Sequence, residues 1–230
     1  MSAETITISG PDGNFTGYLA TPKGDGPFPA IVVIQEIFGV NVVMRDICDG
    51  LAAQGYLALS PDLFWRIEPG IDITDQSEAE WAKAFELFNA FNVDNGIVDL
   101  QATINTARQL GNGKVGTLGY CLGGQLAYLS ATHTNADASV GFYGVNIQAR
   151  LEEASNISKP LMLHIAGQDE FVPADAQAEI HAGLDNHSNV TLHDYPARDH
   201  AFARVGGAHY DKADADLANK RTLDFFKANL

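Results

Sequence analysis

Apolar positions along the chain fall into short runs separated by stretches with helical spacing. Eight runs carry β-forming residues: Thr5-Ile6-Thr7-Ile8, Phe15 to Ala20, Ala30 to Gln35, Tyr56 to Ser60, Lys114 to Gly119, Ala138 to Tyr143, Leu161 to Ala166 and Val190 to Tyr195. The first two alternate apolar and polar residues across Gly10-Pro11-Asp12-Gly13, the signature of a hairpin with one wet face. The later runs are continuous and apolar, as buried parallel strands are. Between them the spacing predicts helices at 41–54, 77–91, 94–110, 122–133, 173–185 and 208–228. The fold class that follows is α/β: about eight strands in a mostly parallel sheet with an antiparallel edge, flanked by helices. Residues 62–77, with Pro69-Gly70 and several acids, form the longest irregular segment, of the kind that covers a site at strand ends.

Length and composition narrow the picture. A chain of 230 residues, 46% hydrophobic, without repeats or low-complexity linkers, is expected to fold as one domain over 1–230. Its 14 basic and 29 acidic residues give −15 with histidines neutral, which repels nucleic acid and anionic membranes. No apolar run approaches the roughly 20 residues of a membrane span, and Met1-Ser2-Ala3-Glu4 lacks the basic and apolar regions of a secretory leader. A soluble, cytoplasmic monomer is expected. Two cysteines, Cys48 and Cys121, are too few for a disulfide framework, and the seven histidines show no metal spacing. Neither metal nor cofactor is expected.

Candidate chemistry centres on Gly119-Tyr120-Cys121-Leu122-Gly123-Gly124, which follows an apolar strand and opens a helix. G-x-C-x-G is a nucleophile elbow with sulfur in place of oxygen. A thiol nucleophile needs a base, and the base needs an orienting acid, in the chain order nucleophile, acid, histidine. Asp169 stands after the strand Leu161 to Ala166, and His200 stands in the loop after Val190 to Tyr195. Cys121, Asp169 and His200 therefore form a coherent triad, with a helix cap near Pro173 as the alternative role for Asp169. Cys48 reads as packing, and His164, inside a strand, as a core histidine. His133, His181, His187, His193 and His209 read as surface residues. Glu36 ends a buried strand and faces the same end of the sheet, as a functional carboxylate or a buried structural acid. The amides of Ile37 and Leu122 are the expected oxyanion donors. Arg204 is a candidate for a substrate carboxylate or a surface ion pair. Trp81, Phe85, Phe88 and Phe91, at helical spacing, are expected mainly in the core, with Trp81 and Phe85 also candidate pocket residues.

These residues resemble the dienelactone hydrolases, the carboxymethylenebutenolidases of the α/β-hydrolase superfamily. The resemblance rests on Gln35-Glu36-Ile37-Phe38-Gly39, on Gly116 to Gly124, on Gly167-Gln168-Asp169 with Phe171-Val172-Pro173, on His200-Ala201-Phe202-Ala203-Arg204, and on Ala218-Asn219-Lys220-Arg221-Thr222. It implies an α/β-hydrolase fold and hydrolysis of a small lactone or activated ester through a Cys-His-Asp triad without a cofactor. It also gives Glu36 a part in controlling ionisation of the nucleophile. Dienelactone-specific members carry an arginine and a tyrosine where this chain has Trp81 and Phe85. Arg204 then remains as an anchor, with Arg66 or Lys83 as compensating cations. A thioesterase or acyltransferase, or a redox-sensing thiol without turnover, is the competing reading.

Overall fold

The computed structural model describes all residues 1–230. The strands are β1 (Ser2–Gly10), β2 (Gly13–Thr21), β3 (Ala30–Ile34), β4 (Leu57–Pro61), β5 (Val115–Tyr120), β6 (Ala138–Phe142), β7 (Leu161–Ala166) and β8 (Val190–Tyr195). The helices are α1 (Val42–Ala53), α2 (Glu78–Ala90), α3 (Val93–Leu110), α4 (Leu122–His133), α5 (Ala174–Leu184) and α6 (Lys212–Asn229). The sheet has eight strands in the order β1-β2-β4-β3-β5-β6-β7-β8, the mostly parallel arrangement with flanking helices of an α/β hydrolase. The chain divides into two compact units, Met1–Thr117 and Leu118–Leu230.

In the first unit β1 and β2 pair antiparallel from Ser2 opposite Thr21 to Gly10 opposite Gly13, so the expected hairpin forms at the expected turn. β2 also runs antiparallel to β4, and β4 runs parallel to β3. All five residues of β3 are buried, which is why that run is continuously apolar. Side chains cap the helices: Asn41 accepts from the Met44 amide, Ser77 from Glu80 and Asn92 from Asn95. Irregular residues 62–77 are fastened by charge. Asp62 accepts from the amides of Phe64 and Gly70, and buried Asp99 takes the Trp65 indole N–H and the Arg66 guanidinium, which also reaches Asp12.

The face buried by α2 differs from expectation. Ala84 and Leu87 are buried, whereas Trp81 and Phe88 are only partly covered and Phe85 is 39% exposed. The buried stripe passes one position away from the aromatic one, so the ring at 85 remains outside.

In the second unit β6, β7 and β8 are parallel neighbours. α4 is buried over Leu122 to Ala131, which matches its all-round apolar sequence. Gly124 permits close contact with β6: a Cβ there would stand 2.5 Å from the Phe142 carbonyl oxygen. A 3₁₀ helix over Ile147–Asn156, kinked at Arg150, was not expected from the sequence. α6 begins at Lys212, not 208, because Asp211 caps it through the Asp214 amide.

Candidate active site

The turn between β5 and α4 forces Cys121 into φ 56°, ψ −115°, a conformation that costs a residue with a side chain about 1–3 kcal/mol. The turn is tight enough to require glycine at 119, where a Cβ would lie 1.8 Å from the Gly123 carbonyl oxygen. The Cys121 amide donates to the Phe142 carbonyl at 3.1 Å, and its own carbonyl accepts from Gly124 at 2.9 Å. Cys121 thus stands directly before α4, whose first turn holds no acidic residue. The partial positive charge of the helix N-terminus is therefore not offset by an acid on α4 itself. Leu122 heads α4, where an amide N–H has no intrahelical acceptor.

Asp169 and His200 come from the loops after β7 and β8. Those loops are zipped together by backbone bonds from Gly167 to the Tyr195 carbonyl, 2.9 Å, and from Gln168 to the Arg198 carbonyl, 2.8 Å. Asp169 Oδ2 meets His200 Nδ1 at 2.7 Å, and Oδ1 accepts from the Phe171 amide at 2.9 Å. The helix-cap alternative for Asp169 does not hold, since Pro173 heads α5 without any side-chain cap. The same imidazole is hydrogen-bonded to the Cys121 side chain, and with Nδ1 on Asp169 that leaves Nε2 for the sulfur. Cys121, His200 and Asp169 are all buried, and His200 is hydrogen-bonded to both of the others.

Burial alone would push His200 down. Its electrostatic and hydrogen-bond interactions with Cys121 and Asp169 outweigh it and raise the imidazole from 6.5 to about 10. The ring is enclosed by Tyr143, with centroids 5.0 Å apart, and by the edge of Phe171 at 4.8 Å. Neither aromatic was foreseen as a neighbour of His200, because tertiary packing brings them there and no motif marks them.

The remaining candidates separate. Arg204 is buried, and its amide donates to the Ala201 carbonyl. His164 is a satisfied core histidine: Nδ1 meets Tyr195 Oη at 2.9 Å and Nε2 meets Thr222 Oγ1 at 3.0 Å. Burial, then His193 and Arg221, hold it well below its ordinary value. Cys48 is fully buried, and burial pushes its thiol up.

In the first unit Glu36, Ile37 and Phe38 are buried at the carboxyl end of β3. Trp81 packs edge-on against Phe38 at 5.1 Å and stacks on Phe85 at 5.6 Å, while its indole N–H is taken by the Asp75 carbonyl. Arg66 and Lys83 are both engaged in ion pairs. Arg66 is held by Asp99 and Asp12, and Lys83 by Glu68 and Glu86.

The model of the dienelactone hydrolase family matches residues 15–230. The chain belongs to that family. A relative in Azospirillum brasilense is 48% identical over 96% of each chain. The carboxymethylenebutenolidase of Pseudomonas putida is 41% identical over 98% of this chain and 96% of its own length. A crystal structure from Klebsiella pneumoniae subsp. pneumoniae, 27% identical, covers 99% of both chains with a TM-score of 0.85. As a dienelactone hydrolase family member the chain is an ester or lactone hydrolase with a small-molecule substrate. None of its helices is long and apolar enough to cross a membrane.

Proposed function

We propose that this dienelactone hydrolase family member cleaves its ester or lactone through a thioester on Cys121. The observation that carries the reading is the buried His200 bonded through Nδ1 to Asp169 at 2.7 Å and on its other side to Cys121, an arrangement that favours the charged imidazole. The Cys121 thiolate attacks the substrate carbonyl, and the oxyanion that forms is taken up by the Leu122 amide at the head of α4. Ile37 is the second donor that the Glu36-Ile37 motif suggests, and Glu36 is assigned to control of the thiol proton. As the C–O bond breaks, His200 gives its proton to the departing alkoxide or enolate. Neutral His200, still bonded to Asp169, then removes a proton from water. The resulting hydroxide attacks the thioester, the C–S bond breaks, and the thiolate–imidazolium pair returns with release of the carboxylic acid.

An enolate leaving group suits this cycle because it departs with little acid assistance. Arg204 is the candidate contact for a substrate carboxylate, and Trp81 with Phe85 for its conjugated part.

The test is Cys121→Ala, assayed with p-nitrophenyl acetate and with cis- and trans-dienelactone. Turnover is expected to vanish while the melting curve stays within a few degrees of wild type. Mass spectrometry of wild type quenched early in turnover is expected to find the acyl group on the peptide containing Cys121. A fully active alanine variant would overturn the proposal.

A further inference from the structure

Tyr195, the last residue of β8, makes contact with both loops that carry the base and the acid. Its carbonyl accepts the Gly167 amide, which opens the Asp169 loop, and the Arg198 amide, which opens the His200 loop, each at 2.9 Å. Its ring packs on Phe202 at 4.6 Å, and Phe202 packs edge-on against Tyr143 at 5.7 Å, which itself covers His200. Between His200 and Phe202 lies Ala201 at φ 60°, a left-handed conformation that persists only when the surroundings hold it. Burying Phe202 against Tyr195 supplies that hold.

Tyr195 is itself held at its hydroxyl by polar groups. Its hydroxyl meets His164 Nδ1 at 2.9 Å and accepts from Arg221 Nη1 at 3.2 Å. The other nitrogen of His164 is bonded to Thr222 Oγ1 of α6. A consistent assignment has Arg221 donating to Oη, the Tyr195 hydroxyl donating to Nδ1, and Nε2–H donating to Thr222. A histidine, a tyrosine hydroxyl and a threonine hydroxyl are costly to bury without partners, so such a network stands only when complete.

We propose that Tyr195, pinned by His164, Arg221 and Thr222, is a positioning residue that sets His200 between Asp169 and Cys121. The inference rests on the acyl-cysteine reading above. It assigns to the α6 residues Arg221 and Thr222 a part in hydrolysis that neither plays by contact with substrate.

Tyr195→Phe removes one oxygen and keeps both the ring and the backbone bonds. It is expected to lower kcat about tenfold, the scale of a sub-ångström displacement of a reacting group, with KM within about twofold. The downfield proton resonance of the His200 Nδ1–H bonded to Asp169 is expected to move or broaden. His164→Phe should do the same, and His164→Asn, which offers an acceptor and a donor again, should recover most of kcat. If Tyr195→Phe folds, melts lower and yet keeps wild-type kcat and resonance, the network is merely structural and the proposal fails. Wild type without an acyl-Cys121 intermediate would defeat the acyl-cysteine reading instead, and the resonance would still report on Tyr195.

Discussion

Replacing Asp169 by asparagine probes the charge that holds His200, and its size can be worked from the structure. The side chain is almost fully buried, and asparagine can keep the bond from the Phe171 amide. What it loses is the charge on the oxygen 2.7 Å from His200 Nδ1. Raising an imidazole from 6.5 to about 10 corresponds to about 5 kcal/mol, shared between Cys121 and Asp169. A charge-assisted hydrogen bond of this kind accounts for about 1.5–3 kcal/mol of it. The sign follows from linkage. His200 titrates higher in the folded chain, so its stabilisation is complete below pH 6.5 and is lost as pH rises through about 10. Urea unfolding at pH 6.5, 8 and 9.5 should therefore show Asp169→Asn less stable by about 2 kcal/mol at the lowest pH, with the gap narrowing as pH rises. Its kcat/KM should fall roughly 10³-fold or more, because the asparagine can turn the imidazole into the wrong tautomer. A gap that stays constant across that pH range, or a variant within tenfold of wild-type activity, would refute the reasoning.

Other perturbations follow from the same structure. Gly119→Ala places a methyl group 1.8 Å from the Gly123 carbonyl oxygen, so the elbow must move; a loss of about 3 kcal/mol or more and of nearly all turnover is expected in melting and ester assays, and a normal Tm would contradict the geometry. Asp99→Asn weakens the acceptor of Trp65 and Arg66 and should cost about 2 kcal/mol in urea unfolding, with increased proteolysis within residues 62–77. A change below about 0.5 kcal/mol would show that the segment is held by packing alone.

The strands were readable because alternation marks the β1–β2 hairpin and runs of β-forming residues mark the rest, and all eight lie where those runs lie. Cys121, Asp169 and His200 were readable for a related reason: each follows such a run, so order along the chain reports position at the sheet's end. Failures occurred where local pattern carries no information about the third dimension. The 3₁₀ helix at Ile147–Asn156 has no 3.6-residue apolar period to reveal it. On α2 the rings at 81, 85 and 88 are larger than Ala84 and Leu87, yet the stripe with the smaller side chains is the one that packs. Arg66 and Lys83 looked available for an anionic substrate, since a sequence does not display the carboxylates that hold them.

The backbone strain of the chain is also placed unevenly, and the placement bears on chemistry. Four non-glycine residues have positive φ: Cys121, Tyr143, Asn146 and Ala201. Three of them surround one imidazole. Cys121 is hydrogen-bonded to His200, Tyr143 covers its face, and Ala201 follows it in the chain. At about 1–3 kcal/mol each, such residues persist only where packing overdetermines them, here by buried α4 on one side and by Phe202 against Tyr195 on the other. A relaxed backbone at any of the three would be more stable locally and would move the sulfur, the ring or its cover. Glycine at 201 accepts φ 60° without that cost and needs no backbone shift, so Ala201→Gly should keep or raise the Tm while kcat in the ester assay stays within about twofold of wild type.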